Sequence, residues 1–141
     1  MVKVLFDTNI FIDHFNKFTE ATIELATYDD AVISTITWME VACTFNAATK
    51  QEFAELLKEC EIRIVQTDEA IMFRSAALRG HSLVNKPKIG LPDCIIAATA
   101  DVDGRLIITR NPADFGGEGP RVRVPYDIVA GKVVNVKPPA A

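Results

Sequence analysis

The chain has 141 residues, about one ordinary domain, and at that length most of the apolar surface exposed by the unfolded chain can be buried. Apolar residues make up 49% and charged residues 24%, which excludes the composition of a disordered chain, and no apolar run approaches the roughly 20 residues that span a bilayer. Fifteen basic against nineteen acidic residues give a net charge of −4, a poor match to a phosphate backbone unless some acids are neutralised locally; if four of them held cations, the remaining fifteen would balance the Lys and Arg.

In chain order, the opening MVKVLFD lacks a signal-peptide layout, so the cytoplasm is the expected compartment and no membrane partner is expected. Residues 2–6 (VKVLF) are β-branched and aromatic and read as a strand, and the apolar spacing of 9–18 reads as a helix, with another at 19–27. AVIST at 31–35 is strand-like, and 37–48 reads as a helix with Met39, Ala42, Cys43 and Asn46 on one stripe, paired with a helix at 50–60. IRIV at 62–65 is a third strand, and a long helix follows to residue 84, with Thr67 as its N-cap and Glu69 nearby. NKPKIGLP (85–92) is a loop, DCIIAATADVD a helix stopped at Asp103-Gly104, LIIT (106–109) a buried strand, and VRVPY (122–126) the last strand. The tail from about 132 has no clear pattern. The three cysteines, Cys43, Cys60 and Cys94, are odd in number with no C-x-x-C pairing, and read as buried thiols. Strands separated by helices imply one α/β domain over 1–141, a three-layer α/β/α sandwich around a mostly parallel sheet.

In such a sheet, residues ending a strand and residues opening the next helix meet at the carboxyl edge, where ligands bind. Asp7 follows the first strand, Glu40 lies one turn into the helix after the second, Asp93 opens the helix before the fourth, and Asn111 and Asp114 follow that strand. Singly, each acid has an ordinary role: Asp7 as an N-cap, Glu40 as the partner of Thr37 in a capping box, Asp93 as a helix-dipole charge, Asp114 as turn chemistry. Jointly they would repel, by about 3 kcal/mol per ionised pair at ~6 Å and an effective dielectric of ~20. Hard divalent cations such as Mg²⁺ or Mn²⁺ are the natural neutralisers.

Asp7-Thr8-Asn9 after the first strand, Ser34-Thr35-Ile36-Thr37 leading to Glu40-Val41, Leu91-Pro92-Asp93 with Ile95 to Ala100, and Ile108-Thr109-Arg110-Asn111 with Asp114-Phe115 resemble the PIN-domain nucleases, most closely the VapC-type toxins of toxin–antitoxin pairs. The resemblance runs from residue 2 to about 126. It implies a five-stranded sheet of order 3-2-1-4-5 and a Mg²⁺- or Mn²⁺-dependent endoribonuclease that hydrolyses RNA with metal-activated water and is restrained by a cognate antitoxin. Asp7, Glu40 and Asp93 match the acidic metal ligands, and either Asn111 or Asp114 completes the set. Thr8, Asn9 and Thr35 match supporting polar positions. Arg110, Lys86, Lys88 and Arg79 lie in loops or helix ends that could approach an RNA backbone or serve only as solvated charge.

Ile23, Leu25, Phe45, Phe53, Leu56 and Leu57 exceed what one small sheet face needs, which together with the resemblance suggests a homodimer surface and an antitoxin groove. Three rival readings stay open. An aspartyl-phosphate phosphatase would want an acid where Asn9 stands, a non-catalytic interaction module would use the acids only as caps, and a housekeeping PIN nuclease would lack the antitoxin.

Overall fold

Strand β1 (Lys3–Phe6) lies at the centre of a five-stranded sheet in the computed structural model, which describes all residues from Met1 to Ala141. It is flanked by β2 (Asp30–Ser34) and β4 (Leu106–Ile108), with β3 (Ile62–Val65) and β5 (Val122–Arg123) at the edges, giving the order β3-β2-β1-β4-β5. Every pairing is parallel. Helices α1 (Thr8–Phe15), α2 (Thr19–Thr27), α3 (Thr35–Ala42), α4 (Ala47–Glu59), α5 (Glu69–Val84) and α6 (Leu91–Asp103) make the crossovers, and a 3₁₀ turn spans Pro112–Phe115.

Alternation along the strands divides the core in two. Val4, Phe6, Ile33 and Ile108 face the larger cluster, built with Phe11 and Leu25 from α1 and α2 and Phe53 from α4. Leu5, Val32 and Ile107 face the other way, onto Ile96 and Ala100 of α6. A five-stranded parallel sheet covered on both faces is the expected three-layer sandwich. No helix is long and apolar enough to cross a membrane.

Several local expectations are corrected. Helix α3 stops at Ala42 and α4 begins at Ala47, so the continuous stripe expected over 37–48 does not form: Met39 is exposed, Cys43 is exposed, and Asn46 instead caps α4 by accepting from Thr49 N–H at 2.9 Å. The Asn side chain competes for the backbone there and starts a new helix. Asp68, not Thr67, caps α5, accepting from Ile71 N–H at 2.9 Å. Strand β5 is only two residues long, and the tail forms an antiparallel hairpin of β6 (Asp127–Val129) and β7 (Lys132–Val134). Of the cysteines only Cys94 is buried, Cys60 being intermediate. The surplus of apolar side chains on α2 and α4 is absorbed within the single chain: Leu25, Phe53, Leu56 and Leu57 are buried, Phe45 packs on them, and Ile23 alone stays exposed. That surplus therefore gives no argument for a dimer.

Two punctuation points aim the site. Gly104, at φ +62°, takes the left-handed conformation that ends α6 and turns the chain into β4. At the other end of α6, Pro92 in the first turn needs no backbone donor, and Asp93 follows it at the carboxyl edge.

Candidate active site at the carboxyl edge

Asp7 leaves β1 with its N–H bonded to Ile108 O at 2.9 Å, which carries the β1–β4 ladder one residue past the strand. The register that pairs Phe6 with Ile108 sets Thr109 beside Asp7. One Asp7 carboxylate oxygen accepts from Thr8 N–H at 2.8 Å, so the N-cap role is real; the other accepts from the Thr109 hydroxyl at 2.7 Å and from Asn9 Nδ2 at 3.2 Å. With only 5% of the residue exposed, burial pushes the carboxyl pKa up, the Thr109 and Thr8 hydrogen bonds pull it down, and the nearby charges of Glu40 and Asp114 push it up again. A residue that were solely a cap would not feel two other acids.

Glu40 belongs to the same network. Its Oε1 accepts from the Thr8 hydroxyl at 2.7 Å, and the Thr8 and Thr37 hydroxyls stand 3.4 Å apart. The cap of α3 is Ser34, accepting from Ile36 N–H at 3.1 Å, so Glu40 is not the capping-box partner of Thr37. Asp93 is pushed up to about 6, first by burial and then by Asp114, Asp7 and Glu40 in that order. Asp114, in the 3₁₀ turn, thus acts electrostatically on both Asp7 and Asp93. Asn111 is exposed, and its backbone N–H donates to Thr109 Oγ1 at 2.9 Å while its side chain makes no cap bond. The carboxylates lie within electrostatic reach without forming a closed cage: no three His, Cys, Asp or Glu side chains are gathered tightly enough to enclose an ion as they stand.

The supporting polar residues divide. Thr8 and Asn9 hold the carboxylates, and Asn9 also links Thr109 Oγ1 (3.1 Å) to the Arg110 N–H, which it accepts at 3.1 Å. The Thr35 hydroxyl instead donates to Val65 O at 3.1 Å, tying α3 to the end of β3. Sequence reading missed Thr109, although a hydroxyl directly after the LII strand is the signal that could have found it. The basic residues divide as well. Arg110 donates through Nε and Nη2 to buried Asp13 at 2.5 and 2.8 Å, and the Tyr126 hydroxyl joins the same carboxylate at 2.8 Å. Arg79 is bound to Ile89 O at 2.7 Å. Lys86 and Lys88 are exposed and form no ion pair.

The family model of the PIN domain matches residues 4–115. The chain belongs to the PIN-domain family. Members of this family are nucleases, and this PIN domain has its strands in the order that the motifs implied. It is similar to a chain of a solved toxin–antitoxin complex from Klebsiella pneumoniae, with 37% identity, a TM-score of 0.73, and coverage of 89% of this chain and 100% of that one. It shares the fold of FitAcB from Neisseria gonorrhoeae (24% identity, TM-score 0.61, 79% and 91% coverage). The fold is also that of VapBC2 from Rickettsia felis, solved bound to a promoter DNA fragment (20% identity, TM-score 0.69, 87% and 98% coverage). Among curated proteins there is no match. The likeness to VapC-type PIN toxins read from the motifs is borne out by these neighbours.

Proposed function

We propose that this PIN domain is a divalent-cation-dependent endoribonuclease, the toxin of a toxin–antitoxin pair, restrained by a cognate antitoxin. The observation that carries the reading is the meeting of Asp7, Glu40, Asp93 and Asp114, from four separate segments, at one sheet edge where none of them is ion-paired with Lys or Arg. Such a cluster is relieved by protonation, by its hydrogen-bond donors or by a bound cation, and a cation is the one of these that acts at neutral pH on all four acids. The antitoxin and toxin roles are supported by the likeness to the Klebsiella pneumoniae complex.

The donor set fits Mg²⁺ or Mn²⁺. It is all oxygen, and its looseness suits an ion that keeps several waters and takes one or two carboxylates together with substrate phosphate. Asp7 and Asp93 would hold it, with Glu40 and Asp114 close enough to share the charge. When bound, the cation supplies Lewis acidity toward the phosphodiester and eases deprotonation of the attacking water. Thr109 and Asn9 fix one oxygen of Asp7, Thr8 N–H fixes the other, and the Thr8 hydroxyl holds Glu40, so two acids are pre-oriented before substrate arrives. Asn111, with no side-chain bond to this network, contributes less than Asp114.

Purified protein should cut RNA in Mg²⁺ or Mn²⁺, stop in EDTA, and lose at least roughly 100-fold in rate on Asp93→Asn, while Thr109→Val costs about 10- to 100-fold. Undiminished cleavage by Asp93→Asn would place the chemistry elsewhere. Co-expression with the product of an adjacent small gene should suppress the activity, and activity unchanged by that product would remove the antitoxin part of the reading.

A further inference from the structure

Asp114 also belongs to a second feature. A cavity of about 290 Å³ opens between α5, α6 and the 3₁₀ turn, and Asp114 lies on its wall as well as in the carboxylate cluster. Leu78 from α5, Ala97 from α6, Ile107 from β4 and Phe115 supply apolar and aromatic surface. Lys86 and Arg121, both exposed, also line it; Arg121 pairs with Asp101, whereas the Lys86 ammonium is unpaired. The volume is at the small end of ligand sites, room for one planar ring system and not for a stretch of polymer.

We propose that this cavity receives a nucleobase of the RNA strand next to the scissile phosphate, and so sets the base preference of cleavage. The assignment rests on the nuclease reading of the adjoining edge. The apolar surface of the walls, with the rings of Phe115 and His81, suits the face of a base, and Ser82, Asn85 and Asp101 on the same walls offer its edge a few hydrogen-bonding groups. The cation of Lys86 suits the sugar–phosphate chain leading away from the acids, which themselves repel phosphate unless neutralised. Asp114, which lines the cavity and lies within electrostatic reach of Asp7 and Asp93, is the link between the two, and Cys94 on the cavity wall directly follows Asp93 in α6, so the cavity is the place for a base of a strand set for cleavage. An apolar side chain of a protein would use the same walls but would gain nothing from the cation.

The test separates the pocket from the chemistry. In EDTA, the four nucleoside 5′-monophosphates are titrated into the protein while the methyl signals of Leu78, Ala97 and Ile107 are followed by NMR. One base should bind several-fold more tightly than the others and move these signals. Ribose 5-phosphate should leave them in place, and Ala97→Leu or Leu78→Trp, each filling the cavity, should abolish the shifts; two variants guard against one failing to fold. In oligoribonucleotide cleavage, the same folded variants should lose the preference of the parent for one base beside the cut. Equal shifts with ribose 5-phosphate, no shifts with any nucleotide at millimolar concentration, or shifts with N-acetyl-leucine amide alone would overturn the proposal, the last pointing to a peptide pocket. Asp93-dependent cleavage without base-dependent shifts would remove the pocket and leave the nuclease. Base-dependent shifts in a protein that cuts no RNA would remove the nuclease and leave a base-binding cavity.

Discussion

The two edges of the central sheet carry acids of the same kind under opposite management. At the amino edge, Asp103 meets Lys3 at 3.0 Å and Arg105 at 2.7 Å, and Asp30 meets Arg105 and Arg63, both at 2.9 Å. The Arg105 side chain is only 3% exposed and also donates to the carbonyls of Val4 and Asp30, so it bolts three strand starts together. These partners hold the Asp30 and Asp103 carboxyls below the usual carboxylate range. At the carboxyl edge, Asp7 and Asp93 are pushed above it, first by burial and then by neighbouring acids, Glu40 and Asp114 for Asp7 and Asp114, Asp7 and Glu40 for Asp93. One edge is closed by the chain's own cations, and at the other the acids have no Lys or Arg partner, which is the pattern expected where function takes precedence over stability.

Asp13 sharpens the contrast, because it lies on α1 after Asp7 and is 3% exposed, yet Arg110 and Tyr126 satisfy it. Removing that partner in Arg110→Ala should cost about 3–5 kcal/mol by leaving a buried charge unpaired, measured as a fall in the urea midpoint at pH 7. A loss no larger than that of an ordinary surface substitution would show that the pair is not structural.

Next in size, Arg105→Met should destabilise by about 1–3 kcal/mol, since two carbonyls lose their donor, and cation addition should not restore it. Metal should distinguish the edges more directly. At tenfold excess over Kd, Mn²⁺ should stabilise the parent by about 1.4 kcal/mol, and Asp93→Asn should forfeit most of that while Asp30→Asn keeps it. Asp7→Asn is a stricter probe than Asp7→Ala, because it retains the acceptor that caps α1 and removes the charge together with the oxygen that accepts from Thr109 and Asn9. Calorimetric melting with and without Mn²⁺ reads all three.

The smallest effect is the pH dependence in EDTA. An acid with a raised folded-state pKa makes the folded state bind the proton more tightly, so its contribution grows as pH falls through about 6 and is lost as pH rises through it. The lowered acids Asp30 and Asp103 contribute in the opposite sense, with stability lost only as pH falls below the ordinary carboxylate range of about 4. Between pH 7 and 5 Asp93 should therefore add stability, by under ~1 kcal/mol once its partial solvent exposure is allowed for, while His14, whose pKa is lowered by burial and by Lys17, contributes in the opposite sense. Over that range the parent should gain stability relative to Asp93→Asn but not relative to Asp30→Asn; a difference between the parent and Asp93→Asn that does not grow from pH 7 to 5 would contradict the assignment.

The sequence by itself determined the strand and helix order, the parallel three-layer sheet, and the edge at which Asp7, Glu40, Asp93 and Asp114 gather. Those features depend on periodicity along short segments and on the rule that alternating strands and helices return to the same edge, both of which are local. Register and side-chain pairing across long stretches of chain were decided only by the tertiary structure. The Phe6–Ile108 register is what makes Thr109 a partner of Asp7 across 102 residues. The three-dimensional fold also gives Arg110 to Asp13 and turns Thr35 toward Val65. It joins Asn111 to the network only through its backbone N–H, which donates to Thr109, while Asp114 acts on it electrostatically, and it packs the apolar excess of α2 and α4 into the chain's own core. A residue type states which bonds it can form; which partner comes within 3 Å is a property of the packed chain, because competing donors and acceptors become near neighbours only after the sheet has closed.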